Sequence, residues 1–207
     1  MGKNKDGLLF DTIAPVYGMF YHWQKKRFLE VIQSVRKEID LAAYRSVLDV
    51  GCGTGALCSV LYGKGLAVTG VDNAARMLDI AKRQRENKEI NFIRASALEQ
   101  LPFEDKSFDI AIASYVAHGL QKDKRKQLYS QMSRVARHKV VIYDYNQNRR
   151  PLISMIEWLE HGDYFGFIKA AHDEMKTCVS NMKQCFADVK VIDVSANAAW
   201  YICTPTL

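Results

Sequence analysis

The 207-residue sequence predicts an α/β protein with a doubly wound, seven-stranded, mostly parallel sheet closed by a C-terminal antiparallel strand pair. Three observations predict it. Short apolar runs alternate with helix-patterned stretches between residues 46 and 145, and strand–helix alternation of this kind builds parallel sheets. The run FDIAIA at residues 108–113 is almost continuously apolar, as a strand covered on both faces must be. The last two strand-like segments, VKVIDV at 189–194 and AWYIC at 199–203, are joined by Ser-Ala-Asn-Ala with no room for a helix, so they must pair antiparallel.

In chain order, residues from Phe10 to about Arg36 read as one or two helices ahead of the sheet. SVLDV at 46–50 is a compact strand running into the Gly-rich stretch GCGTG. A helix follows from Ala56 to about Tyr62, punctuated by Gly63 and Gly65. AVTGV at 67–71 is the second strand, ending at Asp72, and a helix from about Ala74 places Met77, Leu78 and Ala81 at helical spacing. Residues 91–94 form a third short strand and 108–113 the fourth. A basic helix around 122–136 and a fifth strand over 139–144 complete the alternation, and 151–185 reads as mainly helical.

Composition fits one domain spanning 1–207, with a helical cap over about 1–40 and a helical insertion over about 146–185. There is no apolar run long enough for a bilayer, so no membrane insertion is expected. The first ten residues lack the apolar core of a signal peptide, and the expected location is cytoplasmic. Five cysteines, none in a CxxC, and the lack of HExxH or paired Cys/His spacing argue for reduced thiols and no metal site. The net charge of +6 includes two clusters, Lys25-Lys26-Arg27 and Lys122/Lys124/Arg125/Lys126. A solvated helix face accounts for such clusters, and attraction to nucleic acid is the alternative. The sequence carries no signal for an oligomeric state.

Chemistry concentrates at the strand ends. In VLDVGCGTG, residues 47–55, Gly51, Gly53 and Gly55 let the chain turn tightly after the strand and let a ligand approach the backbone. Amides of the turn and of the next helix N-terminus suit a carboxylate. A dinucleotide fingerprint would place its third glycine one residue later, where Ala56 stands, and no GK[ST] follows for a phosphate loop. Asp72, at the end of the second strand, suits both hydroxyls of a ribose, or a cap for the next helix.

VLDVGCGTG, GVD at 70–72 and LPFEDKSFDIAIASYVAHGL at 101–120 together resemble the class I S-adenosylmethionine-dependent methyltransferases, nearest the branch of the ubiquinone and menaquinone C-methyltransferases. FDTIAPVYGMF at 10–20 resembles that branch's N-terminal helix. The resemblance covers roughly residues 10–145 and implies a Rossmann-like fold, S-adenosylmethionine as cofactor and S-adenosylhomocysteine as product. It implies that Asp49, Gly51, Cys52, Gly53 and Gly55 surround the methionine end, that Asp72 holds the ribose with Asn73 and Met77 near the adenosine, and that Ser96, Ala97 and Leu98 flank the adenine. Tyr17 would lie over the cofactor, and Ser114 and Tyr115 would face the sulfonium and the acceptor. The family often carries an acid at the position of Ser96, and many relatives carry two histidines where Ala117-His118-Gly119 leaves one.

Methyl transfer from a sulfonium is an in-line displacement with an activated leaving group, so the protein must chiefly align the reactants and exclude water. Where the acceptor must lose a proton, His118, Tyr115 and Asp144 are the candidate catalytic residues; Tyr143, Tyr145 and His161 are further candidates for the base. A helix cap or surface position is the alternative role for His118. Glu157, Trp158, His161, Tyr164, Phe165 and Phe167 are expected in the roof of the acceptor site, and the two aromatic-rich segments together as its lid. The expected acceptor is a small molecule. RNA or protein methylation is the alternative, as is a cofactor-binding module without turnover.

Overall fold

The computed structural model describes residues 18–146 and 178–206. Tyr17, most of the expected insertion, and with it Glu157, Trp158, His161, Tyr164, Phe165 and Phe167, lie outside the described residues.

Seven strands form one sheet: β1 (Ser46–Val50), β2 (Ala67–Asp72), β3 (Asn91–Arg94), β4 (Phe108–Ser114), β5 (Ala136–Tyr145), β6 (Phe186–Asp193) and β7 (Ala198–Pro205). Their spatial order is β3-β2-β1-β4-β5-β7-β6. The pairs β1–β2, β1–β4, β2–β3 and β4–β5 are parallel, while β7 runs antiparallel to β5 and β6. The antiparallel pair follows from the short Val194–Asn197 connection, where Val194 N and Ser195 N both donate to Ala198 O. β5, β6 and β7 all start before their sequence-predicted limits, because pairing carries β5 from Phe108↔Ala136, past an irregularity between Phe108 and Ile110, to Tyr145↔Ala198.

Five helices are described: α1 (Tyr21–Ser34), α2 (Ala56–Gly63), α3 (Ala75–Arg83), α4 (Lys122–Val135) and the short α5 (Cys178–Met182). They divide between the two faces because β side chains alternate. Val47, Ile110, Ile112, Val141, Tyr143 and Trp200 face a core shared with Val31 of α1, Leu57 and Leu61 of α2 and Leu78 of α3. Leu48, Ala111, Ala113, Val140 and Ile142 face the other core, with Leu128 and Met132 of α4 and Cys178 of α5. Residues 110–113 of β4 are fully buried, as expected of a strand sandwiched between two helical layers.

The start of the β1–β4 pair is held by Asp109, whose Oδ2 accepts from the amides of Arg45 (2.8 Å) and Ser46 (3.2 Å). Ser46 Oγ accepts in return from the Asp109 amide at 2.9 Å. The Arg45 amide is the main reason the Asp109 carboxyl is held below its ordinary pKa, with the Ser46 amide and Arg137 adding to it. At the other end of the sheet, α1 packs across α2 through Glu86, which accepts from Tyr21 Oη (3.1 Å), Lys25 Nζ (2.6 Å) and Ser59 Oγ (3.3 Å). Thr54 Oγ1, in the Gly-rich loop, donates to Gln24 Oε1 of α1 at 3.2 Å. α1 is therefore tied directly to the Gly-rich loop.

Candidate active site

Strand order reverses direction at β1, whose neighbours β2 and β4 are reached by connections leaving in opposite senses. Open α/β sheets bind ligands beyond the carboxyl ends of their strands at such a point. Asp49, the Gly-rich loop, Asp72 and Ser114 all stand there, and β5 brings Asp144 to the same edge of the sheet.

The loop's shape requires its glycines. Gly51, Gly53 and Gly55 have φ of +73°, +51° and +76°, in the left-handed region that L side chains avoid. Sterics separate their roles. A Cβ on Gly51 would stand 2.5 Å from Val116 Cγ2, so Gly51 lets the segment after β4 close onto the loop. A Cβ on Gly55 would meet Asn87 Nδ2 at 2.7 Å and both Ala81 and Phe92 at 3.0 Å, so Gly55 lets α2 start against α3 and β3. A Cβ on Gly53 would meet nothing within 4 Å, which leaves the outer surface of the loop open to a ligand.

The amides sort in the same way. Gly51 N and Cys52 N donate to Val71 O, Gly53 N to Asp72 Oδ2 at 2.8 Å, and Gly55 N to Cys52 O. Gly55 caps α2 without any side-chain hydrogen bond. The first-turn amides of α2 are thus left for an anion, and a carboxylate there gains from the helix dipole. Asp49 is 1% exposed, and its Oδ1 has no hydrogen-bond partner. A buried, unpaired carboxylate oxygen beside an open glycine and an uncapped helix start fits the zwitterionic methionine end of S-adenosylmethionine: the carboxylate at the helix, the ammonium toward Asp49.

Of the two roles open to Asp72 in the sequence, the observed contacts match the one at the start of the next helix. Its Oδ1 accepts from Ala74 N at 2.9 Å, at the start of α3, and its Oδ2 from Gly53 N, tying the ends of β1 and β2 together. Replacing Asp72 by Ala should weaken S-adenosylhomocysteine binding by about 1.5–3 kcal/mol, the scale for hydrogen bonds to a charged group. Calorimetry checks this, and unchanged affinity would place the ribose elsewhere. Around the expected adenine site, Ser96 Oγ accepts from Leu98 N at 3.2 Å and so folds its own turn; Ala97 and Leu98 are half-buried beside it. The Asn73 carbonyl accepts from Arg94 Nε at 3.1 Å. Met77 is 2% exposed in α3. Cys52 is buried in the core under α2, with its sulfur against Gly70, so the thiol points away from the loop's open side.

Beyond β4 the expected acceptor residues meet. Ser114 Oγ is buried without a partner. Tyr115 has φ +55°, an unusual conformation for a bulky residue, and its amide donates to Tyr143 O at 2.8 Å. That turn places its ring 4.8 Å from Tyr143, 5.5 Å from Tyr145 and 6.3 Å from His118. His118 sits in the 3-10 turn Ala117–Gly119, is 9% exposed, and stacks edgewise on Tyr145 at 4.8 Å. Its Nδ1 lies 2.9 Å from Asp144 Oδ1 and its amide donates to Asp144 Oδ2 at 3.1 Å, while Tyr145 N donates to Oδ1 at 2.8 Å. Asp144 is fully buried. A carboxylate facing these donors makes Nδ1 the protonated ring nitrogen, and the basic lone pair then lies on Nε2. His118 is neither a helix cap nor a surface residue. Contact between residues 26 apart had no signal in the sequence, nor did the Cys58–Asp49 hydrogen bond of 3.1 Å.

The comparisons with known proteins agree with this geometry. Residues 47–139 match the family model described as a methyltransferase domain. The chain is similar to the demethylmenaquinone methyltransferase of Thermotoga maritima, 35% identical over 63% of this chain and 56% of that protein. It is also 31% identical to the demethylmenaquinone methyltransferase of Lactiplantibacillus plantarum, over 72% of this chain and 67% of that one. The chain belongs to the class I S-adenosylmethionine-dependent methyltransferases. Among solved structures, a Methanococcus maripaludis protein assigned to the S-adenosylmethionine-dependent methyltransferases shares the fold of this methyltransferase, with a TM-score of 0.73 at 15% identity over 100% of this chain and 96% of that one. The methyltransferase thus spans a little over half of the Thermotoga relative and two thirds of the Lactiplantibacillus one.

Proposed function

We propose that the protein transfers the methyl group of S-adenosylmethionine to a small, aromatic, oxygen-bearing acceptor of the naphthoquinol type, with His118 as general base and Asp144 as its orienting partner. The observation that carries this reading is the buried His118–Asp144 pair, set among the rings of Tyr115, Tyr143 and Tyr145 just past the ends of β4 and β5. The names of the relatives point the same way. Flat aromatic walls beside a base suit a flat aromatic acceptor.

The bound cofactor supplies a methyl group on a positively charged sulfur that leaves as a neutral thioether. The chain does the rest. Asp72, the Gly-rich loop and the start of α2 hold the donor, and Tyr115 and its neighbouring rings exclude water from the acceptor side. His118 Nε2 takes the hydroxyl proton of the quinol, raising electron density on the ring carbon that attacks the methyl group. Asp144 stabilises the resulting imidazolium. The ring carbon then gives up its own proton, which restores aromaticity, and the His118 imidazolium returns the hydroxyl proton to the quinol oxygen, leaving the base ready for the next turnover. The new C–C bond replaces a C–H bond, and one proton is released per turnover.

RNA methylation has less support. Lys25 is engaged by Glu86, Arg27 lies 3.7 Å from Glu30, and Arg125 is 1% exposed with its Nη1 donating to Leu120 O. Both basic clusters are therefore partly spent inside the protein. The test supplies labelled S-adenosylmethionine with either a reduced 2-alkyl-1,4-naphthoquinone or a structured RNA, at low and high salt. Label should enter the quinol with little salt dependence. Label in RNA alone, or nucleic-acid affinity falling steeply with log salt, would overturn the small-molecule reading.

A further inference from the structure

Beneath the Gly-rich loop lies a buried group that the proposed chemistry does not use. Cys58, in the first turn of α2, is fully buried, and its Sγ lies 3.1 Å from Asp49 Oδ2. The Cys52 thiol adjoins Cys58. Asp49 therefore carries one oxygen bound to a thiol and one, Oδ1, buried without a partner. The single donor on Oδ2 leaves the other oxygen as the one available to a ligand.

We propose that Cys58 is a positioning residue for the cofactor: its thiol holds the Asp49 carboxylate ionised and turned so that Oδ1 receives the ammonium group of S-adenosylmethionine. The inference rests on the reading of this pocket as the cofactor site and assigns a role to a residue outside the Gly-rich motif. The chemistry favours it. Burial pushes the Cys58 thiol well above its ordinary pKa and that of Cys52 up to about 11, so both stay protonated and the thiol of Cys58 remains a donor. Burial also pushes Asp49 up to about 7, opposed by the Cys58 hydrogen bond and reinforced by the negative charge of Asp72. The titratable groups around Asp49 among the described residues are thus Cys58 of α2, Cys52 of the loop and Asp72 of β2. The ammonium binds the ionised form, so affinity should rise with pH through the Asp49 titration and level off above it. Loss of the Cys58 donor raises the pKa of Asp49 and moves that rise to higher pH.

The experiment is calorimetric titration of the full chain with S-adenosylhomocysteine between pH 5.5 and 9, together with an NMR titration of ¹³C-labelled carboxylates without ligand. Wild type, Cys58→Ala and Cys58→Ser are compared, each first checked for a cooperative thermal transition. Cys58→Ala should displace both midpoints upward and lower affinity several-fold near neutrality, with the high-pH plateau approaching that of wild type. Cys58→Ser keeps a donor and should return both midpoints to the wild-type value or below. Midpoints that do not move in Cys58→Ala would overturn the proposal while leaving the cofactor site intact, as would an equal loss of affinity at every pH that Ser does not restore. No binding to wild type would overturn the cofactor reading and the proposal together.

Discussion

Replacing His118 by Ala should lower kcat by about 100- to 10,000-fold, the usual range for a positioned general base, while S-adenosylhomocysteine affinity stays near that of wild type. The split follows from placement. His118 belongs to the turn after β4 and contacts Asp144 and the Tyr145 ring, whereas the proposed cofactor cradle lies on β1, β2 and the loop between β1 and α2. Single-turnover kinetics with the naphthoquinol measure the chemical step, and added imidazole should restore part of the lost rate by filling the vacated space. Asp144→Asn should lose rate as well, because the Asn amide can donate N–H to Nδ1, which favours the tautomer with its lone pair on Nδ1 and its proton on Nε2, where the base is needed. Full activity in His118→Ala would remove the base from the mechanism and leave alignment alone to drive transfer.

The second large effect concerns the fold under the cofactor. Gly55→Ala should destabilise the protein by about 2–5 kcal/mol. Roughly 1–2 kcal/mol comes from forcing an L side chain to the left-handed conformation, and about 1–3 from overpacking. The atoms that a Cβ would meet have nowhere to go: Asn87 is 1% exposed, and its Nδ2 already donates to Ala81 O at 3.0 Å and Gly55 O at 3.4 Å. Gly53→Ala makes the matched control. It has the same backbone strain but open space around the new methyl group, so it should cost only about 1–2 kcal/mol and act mainly on cofactor affinity. Thermal melts of both variants separate the two effects. Equal stability in Gly55→Ala and wild type would mean that α2 can start elsewhere.

The sheet was legible in the sequence because its strands announce themselves locally. A nearly continuous apolar run marks β4, a compact apolar segment ending in the Gly-rich stretch marks β1, glycines and Asp72 mark where strands end, and a connection of only a few residues between β6 and β7 dictates their antiparallel pairing. The spacing of Gly51, Gly53 and Gly55 likewise carried the loop, since a left-handed turn leaves a glycine signature whatever surrounds it. Strand limits were less legible: β5 grows to ten residues only because β4, with one register shift, and β7 pair along it.

The chain by itself thus determined the order of elements, the family motifs and the end of the sheet at which residues would gather. Tertiary structure alone decided which of those residues touch. Asp144 reaches His118 because β5 lies beside β4 and the turn after β4 folds back over it; Cys58 reaches Asp49 because α2 starts directly above β1; and Arg125 leaves the basic face for the interior. The physical reason is one of range. Apolar periodicity and glycine backbone preferences act over a few residues and are written in sequence. Hydrogen bonds between side chains on different elements depend on the packing of all of them, and no short pattern encodes that.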